Sequence, residues 1–533
     1  MVTMTTDATP AVDAATKATP ADLPANPPAH APVALSANDS LWLNMDSPEN
    51  LMIIESVIWF DAPLDLDRVR HNLAQRLVGR FPVFSWRPER PNGPGADHWV
   101  PDENFDIDRH LTHVEMEAGD PHEQVAQFLS QLMSTPLPMD RPLWHAYVLT
   151  GPNLSALVQR YHHAIADGTA LVRVLLESTT ATPDEDLDEH VDAVPSSEHH
   201  PDATLPARGA TSPVEPVPGS REHSSLGELA ANAATKVLTL PLAAGSAVTK
   251  PAAGLAHRID DVLTRSPHGG LVGRVADQAL GTAGIVDKLV VGTAPDALPF
   301  GHPGVVKHAD WATPIDLPLI KKFANAHGAT VNDVMLALVS GALRRYILAR
   351  GEEPVDVVTM IPVNLRPLDA PLPVHLGNKF ALITLELPLS EPTGVRRLAA
   401  AKARMDVVKH GPEATVTFGL AHMIGGFGAV NAAISRGLTA FFSDKAFGVT
   451  TNVAGPTEPR YYAGQLITGM LGWVPGAASQ TLGACIFSYN AKVTVGFKAD
   501  ARVLPDVGNL VAFFEAEVAD LLDPSRTPGE SGL

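Results

Sequence analysis

One segment of the chain combines residue types and spacing that could do chemistry: Tyr161-His162-His163-Ala164-Ile165-Ala166-Asp167-Gly168. A His-His pair alone says little. With 21 histidines in 533 residues, about one such pair arises by chance, and His199-His200 supplies another. An Asp four residues after the second histidine, followed by Gly, is far rarer. A neutral imidazole can take a hydroxyl proton in a transition state, a contribution of about 10²–10⁴ in rate. Asp167 could bind an arginine or the backbone and fix the turn, and Gly168 could allow tight backbone geometry or close packing at a helix start. The same residues also suit a plain structural role, with Asp167 as a helix cap and both histidines hydrogen-bonded in a turn.

The elements around the segment can present it. Met52–Phe60 is rich in Ile, Val and aromatic residues, as strands are. Asp65 can cap a helix carrying Leu66, Val69, Leu73 and Leu77 at helical spacing. Phe81–Trp86 looks like a strand, Val125–Leu132 a helix ended by Pro136 and Pro138, and Trp144–Leu149 and Leu157–Tyr161 two strands. The polar turn follows, then a helix through Leu171, Val174 and Leu175. Later elements are a helix from Asn332 to Tyr346, with Asn332 a plausible cap, and a strand over Val355–Val363. An amphipathic helix over Gly394–His410, paired strands over Ile486–Tyr489 and Lys492–Phe497, and a final helix from Leu510 to Leu522 complete the set.

These elements fall into blocks. Residues 1–34 hold few large apolar side chains and are expected to be disordered. Residues 35–178 form a first mixed strand–helix domain. Residues 179–299 begin with an acidic, Pro-rich linker and continue as an Ala-rich stretch of helical character. Residues 300–524 form a second domain, and 525–533 a flexible tail. The fold class is α/β, of the α+β kind.

The net charge of −20 argues against nucleic acid as a partner. Residues 1–34 and 179–224 carry half of it. Cys485 is the single cysteine, so no intrachain disulfide can form, and it reads as a buried small hydrophobe. No metal-ligand cluster, nucleotide-binding loop, signal peptide or membrane-spanning run is visible. Val237–Ala256 comes nearest to a span, and Pro241, Lys250 and Pro251 interrupt it.

His162-His163-Ala164-Ile165-Ala166-Asp167-Gly168 resembles the HHxxxDG signature of the coenzyme A-dependent acyltransferase superfamily. Further segments resemble the bacterial wax ester synthase/diacylglycerol acyltransferase family. Pro142-Leu143-Trp144 matches its PLW element, Asn332-Asp333 its ND element and Gly377-Asn378-Lys379-Phe380 its GNxF element. Asn452-Val453-Ala454-Gly455-Pro456 is similar to NVPGP, with Ala454 where Pro is usual. Ser488-Tyr489-Asn490, Asp500 and Pro505-Asp506 match the C-terminal signature. Ala491 replaces a frequent Gly, and His145 a frequent acidic residue. The likeness covers roughly residues 35–178 and 300–522.

The resemblance implies two chloramphenicol acetyltransferase-like domains with a channel between them. It implies an acyl-CoA-dependent O-acyltransferase with acyl-CoA as co-substrate and no permanently bound cofactor or metal. The favoured acceptor is diacylglycerol, giving triacylglycerol for storage. The alternatives are a long-chain alcohol, giving wax esters, or a catalytically weak paralogue that binds acyl chains. A peptide-synthetase condensation domain is a remote further reading. His163 is the expected general base, with His162 and Asp167 as motif residues and Asp167 structural. Gly168, Asn332 and Asp333 are candidates for the channel, and Asn332 for an oxyanion donor. Asn378 is expected to hold a turn and Trp144 to sit in the core. Arg396, Arg397, Lys402 and Arg404 are candidates for a CoA-binding patch, against a solvated helix face. The expected location is cytoplasmic, with peripheral contact at the inner face of a membrane or at lipid inclusions, for which Phe418–Phe442 is a candidate surface.

Overall fold

Residues 32–90, 96–152, 154–183, 303–366, 371–410 and 446–522 are described by the structure, a computed structural model. The first 31 residues, the stretch from 184 to 302, the apolar run over 418–442 and the tail beyond 522 lie outside the described residues. The expectations for those segments are therefore neither met nor refuted.

The first half opens with β1 (Val33–Ala34) and α1 (Ala37–Met45). Ser36 starts α1 by accepting the Asp39 backbone N–H on its hydroxyl. After β2 (Ile53–Phe60), Asp65 accepts the N–H groups of Asp67 and Arg68 and begins α2 (Leu66–Asn72), which runs on as a π-helical stretch to Val78. The strand expected over Phe81–Trp86 is instead a 3-10 turn over Pro82–Ser85. Extended chain begins only at Trp86, in β3 (Trp86–Glu89). Pro82 explains the difference: its fixed φ and missing N–H suit the first position of a helical turn. The half continues through β4 (His98–Pro101), β5 (Leu111–Glu115), α3 (Pro121–Met133), β6 (Trp144–Thr150), β7 (Ser155–His162) and α4 (Gly168–Glu177).

The second half contains β8 (Lys307–Trp311), β9 (Ile315–Asp316), α5 (Leu317–Ala326), α6 (Val331–Ala349), β10 (Val357–Asn364), β11 (Phe380–Leu387) and α7 (Gly394–His410). It ends with β12 (Gly448–Ala454), β13 (Tyr461–Tyr462), β14 (Gln465–Leu466), β15 (Gly469–Trp473), β16 (Leu482–Tyr489), β17 (Lys492–Asp500) and α8 (Val507–Leu522). The expected cap of α6 is Asn332. The observed cap is Thr330, in a reciprocal box with Asp333, and Asn332 lies inside the helix. Thr330 is extended, its hydroxyl accepts the Asp333 N–H and Asp333 accepts the Thr330 N–H in return, so the helix is capped two residues before Asn332.

Two main sheets result. The second half builds the order β11-β10-β12-β16-β17-β8, with β9 beside β17. The first half builds β2-β7-β6-β5, but its outer neighbour is β15, from the second half, paired antiparallel with β2. Leu471 lies opposite Val57, and Trp473 opposite Glu55. The two halves therefore share a sheet, which a division by chain order does not anticipate. The segment after α4 is also tied to the second half. Thr179 and Thr180 are buried, and Thr180 exchanges backbone hydrogen bonds with Tyr461, so the packed chain extends past residue 179.

There are two apolar cores, and the second half contributes Trp311, Leu471 and Trp473 to the first of them. Phe84, Trp86, Leu129, Trp144 and Leu157 are central to the first. Leu338, Leu343, Leu387, Phe497 and Phe514 are central to the second. Trp144 is fully buried, and its indole N–H donates to the Phe84 carbonyl at 2.7 Å, so it belongs to the core as expected.

Candidate active site

β7 carries the histidine pair to the end of the first sheet. His162 lies opposite Ile53 on β2, and the chain then leaves the ladder as the His163 N–H donates to the Met52 carbonyl. His162 ends the strand and His163 begins the turn, and the two rings find different partners. His162 is 0% exposed, and its Nδ1 accepts the Ala164 backbone N–H at 3.1 Å. The His162 proton therefore sits on Nε2, and the ring braces the turn. Asp167 closes the turn as the N-cap of α4, accepting the Ala170 N–H at 2.8 Å.

The second half clasps this turn through Gly377-Asn378-Lys379-Phe380. Three successive N–H groups donate to three groups of the first half. Gly377 donates to the Ile165 carbonyl, Asn378 to Asp39 Oδ1 at 2.9 Å, and Lys379 to Asp167 Oδ2 at 2.9 Å. Gly377 has φ +59°, and a Cβ there would stand 3.3 Å from Asp39 Oδ2, so glycine fits both the left-handed backbone and the close approach. Arg366, also buried, donates to the Leu376 and Gly377 carbonyls and reaches Asp167 Oδ2 at 3.4 Å.

The Asn378 side chain reaches His163. Its Nδ2 donates to Asp39 Oδ1 and to the His163 carbonyl, each at 2.8 Å. Both partners are acceptors, which orients the amide. Asn378 Oδ1 therefore faces His163 Nδ1 at 2.9 Å and accepts its proton. The proton of neutral His163 is on Nδ1, and the lone pair is on Nε2. Among the described residues the one hydrogen bond of the His163 ring is that of Nδ1, and Nε2 makes none. Trp42 stacks on the ring with centroids 3.8 Å apart and planes 16° apart, while Phe380 stands at 5.5 Å.

Burial pushes the His163 imidazole down to about 4, against the opposing pull of the Asp167 charge, its own carbonyl and Asn378. Burial pushes His162 down to about 3, helped by the neighbouring His163 and Arg90. Both rings are neutral near pH 7, and only His163 combines neutrality with a free lone pair. Burial raises the Asp39 carboxyl, opposed by hydrogen bonds from Ser36 and Asn378.

The structure brings His162, His163, Asp167 and Gly168 together in one turn. Asn332 accepts a hydrogen bond from Asn452 Nδ2 at 3.1 Å, Asp333 is engaged in the cap, and among the described residues neither is hydrogen-bonded to His163. Gly168 needs neither a left-handed backbone nor tight packing, since a Cβ there meets nothing within 4 Å. That corrects the sequence expectation and leaves open space beside the turn. The basic face of α7 is largely neutralised: buried Arg397 pairs with Glu517, Lys402 with Asp406, and Arg404 with Asp356 and Glu386. Cys485 is buried, and its thiol is pushed up to about 12. Among the described residues no group of His, Cys, Asp and Glu could hold a metal ion.

Sequence reasoning misses Asp39, Trp42 and Arg366 and reads Asn378 only as a turn residue. Ser36-Ala37-Asn38-Asp39 does carry a helix-start signal. Nothing local links it to a loop 339 residues away.

The comparisons with known proteins agree with this geometry. Residues 35–335 match the sequence model of the wax ester synthase/diacylglycerol acyltransferase catalytic domain, and residues 376–521 that of the WS/DGAT C-terminal domain. A Mycobacterium tuberculosis (strain CDC 1551 / Oshkosh) protein with the provisional name of a diacylglycerol O-acyltransferase is 25% identical over 508 residues, covering 92% of this chain and 90% of that one. Another, tgs1 of strain H37Rv, named on the same provisional basis, is 24% identical over 487 residues, covering 88% and 91%. The wax ester synthase/diacylglycerol acyltransferase of Marinobacter aquaeolei VT8 has a similar fold, with TM-score 0.58 at 19% identity, covering 92% of this chain and 98% of that one. The first condensation domain of the calcium-dependent antibiotic synthetase follows at TM-score 0.52 and 17% identity, covering 95% and 99%. The fold is thus the expected pair of chloramphenicol acetyltransferase-like domains. The chain belongs to the wax ester synthase/diacylglycerol acyltransferase family and is an O-acyltransferase.

Proposed function

We propose that the chain transfers a fatty acyl group from acyl-CoA to the free hydroxyl of diacylglycerol, giving triacylglycerol and CoA, with His163 as general base. The observation that carries the mechanism is the state of His163: a neutral ring, Nδ1 held by Asn378 and the Nε2 lone pair unengaged. Nε2 takes the hydroxyl proton as the alcohol oxygen attacks the thioester carbon. The tetrahedral oxyanion that forms needs preorganised donors. Its collapse breaks the carbon–sulfur bond, and the imidazolium returns the proton to the CoA thiolate. No residue forms a covalent acyl intermediate in this scheme.

Asp167 holds the turn, as its bonds to Ala170, Lys379 and Arg366 support. His162 braces the same turn and takes no part in proton transfer. Diacylglycerol is favoured as acceptor by the names of the mycobacterial relatives. A long-chain alcohol is the second reading, favoured by the double name of the Marinobacter enzyme. No helix among the described residues is long and apolar enough to cross a membrane, and the proposed approach to lipid is peripheral. Purified full-length protein with labelled palmitoyl-CoA, offered diacylglycerol and hexadecanol separately, decides the acceptor. Triacylglycerol as the dominant product is expected. Wax ester alone would overturn the diacylglycerol assignment, and release of free palmitate with neither ester would overturn transfer itself.

A further inference from the structure

We propose that Asp39 and Asn378 form a carboxylate–amide relay that fixes the tautomer of His163 and supports the imidazolium formed during transfer. The inference rests on the reading of His163 as the base and assigns positioning residues to it.

Helix α1 is built to deliver the carboxylate. Ser36 caps the helix and also donates its hydroxyl to Asp39 Oδ2 at 2.6 Å. That contact leaves Oδ1 for Asn378, which donates to it twice, from the backbone N–H and from Nδ2. A 7%-exposed carboxylate with three such bonds is satisfied, whereas losing a partner would strand a buried charge. Trp42 lies one helical turn beyond Asp39, on the same side of α1, and covers the face of the imidazole. One short helix thus supplies both the anionic end of the relay and an aromatic platform for a cationic ring.

The amide between carboxylate and ring has a chemical role. The Asp39 carboxylate and the His163 carbonyl are both acceptors and can be joined only through a donor between them. Asn378 receives the Asp39 charge on its N–H side and presents a polarised carbonyl oxygen to His163 Nδ1–H. That acceptor gains strength when the ring becomes positive, so the relay stabilises the protonated base more than the neutral one. An interaction that strengthens along the reaction raises turnover more than binding. Asp39 enters from residue 39 and Asn378 from the second half, and the base they orient lies between them in the chain. Dislodging either half would release the ring.

The test compares D39N, N378A and the D39N/N378A double variant of the full chain. Palmitoyl-CoA and the preferred acceptor are the substrates, with a melting curve for each protein. Turnover is expected to fall by about 10–10²-fold in D39N and N378A, a fraction of a full general-base contribution, with KM for either substrate within about twofold of the original. The double variant should be no slower than N378A alone, since Asp39 acts through Asn378. NMR of ¹⁵N-histidine-labelled protein should show His163 protonated on Nδ1 in the native chain and a tautomer mixture in D39N. Near-native turnover in both single variants overturns the relay. So does a native His163 protonated on Nε2, or an unchanged tautomer in a slowed D39N. Should N378A fail to fold, D39N and its spectrum decide alone. Loss of activity in H163A alongside normal D39N and N378A removes the relay and leaves the base; normal activity in H163A removes the base itself.

Discussion

Adjacent histidines of one chemistry acquire different partners here because His162 ends a strand and His163 begins the turn after it. His162 spends Nδ1 on the backbone of its own turn, whereas His163 spends Nδ1 on Asn378 and keeps Nε2 free. The sequence motif locates the pair. The partner of His163 Nδ1 is out of its reach, since Asn378 and Asp39 are joined to the motif only by folding. The burial of both rings has a pH signature. Their folded values, about 4 and about 3, lie below the unfolded value of about 6.5. As pH falls, the unfolded chain takes up these protons first. Stability from the neutral rings is therefore full above about pH 6.5 and is lost progressively toward pH 4 and below. Melting temperature should decline between pH 7 and pH 5. The acid limb of kcat/KM, which reports the free enzyme, should fall near pH 4 rather than near pH 6.5. A limb at the ordinary histidine value would show that the ring is far better solvated than its burial implies.

Helices and strands with strong periodicity are legible in the residues themselves, among them α3, α6, α7 and the β16–β17 pair. Boundaries fail where one residue redirects the chain, as Pro82 does before Trp86 and Thr330 does before α6. The turn between β16 and β17 carries a sequence oddity whose cost the structure explains. Asn490 and Ala491 stand at φ +45° and +59°, and Ala491 occupies a position that suits glycine. A Cβ in the left-handed region costs about 1 kcal/mol, partly offset in glycine by greater freedom of the unfolded chain. Ala491→Gly should stabilise the protein by a few tenths to about 1 kcal/mol, read by urea or thermal unfolding, with activity unchanged. Destabilisation would mean that the alanine methyl makes contacts that outweigh the strain.

Across the whole molecule, the two halves of the chain interlock, and the first core itself takes Trp311, Leu471 and Trp473 from the second half. β15 borrows the edge of the first sheet, and Gly377–Lys379 complete the turn that holds His163. No local pattern announces such crossovers, because strand pairing between distant segments depends on topology rather than periodicity. The first half should accordingly be incomplete by itself. A chain ended at residue 183 lacks the cover for Val57 and Ile58 on β2 and the partner of His163 Nδ1. It is expected to show no cooperative melting and no acyl transfer. A folded, active fragment would contradict the shared-sheet account.

The base assignment is the centre of this account, and one substitution tests it most directly. His163→Ala, in the full-length protein, is assayed for acyl transfer from labelled palmitoyl-CoA to a saturating acceptor, with melting recorded in parallel. Turnover should fall by about 10²–10⁴-fold, the usual contribution of a general base, while the protein still melts cooperatively. A His163→Ala protein that melts normally and keeps near-native turnover would contradict the mechanism.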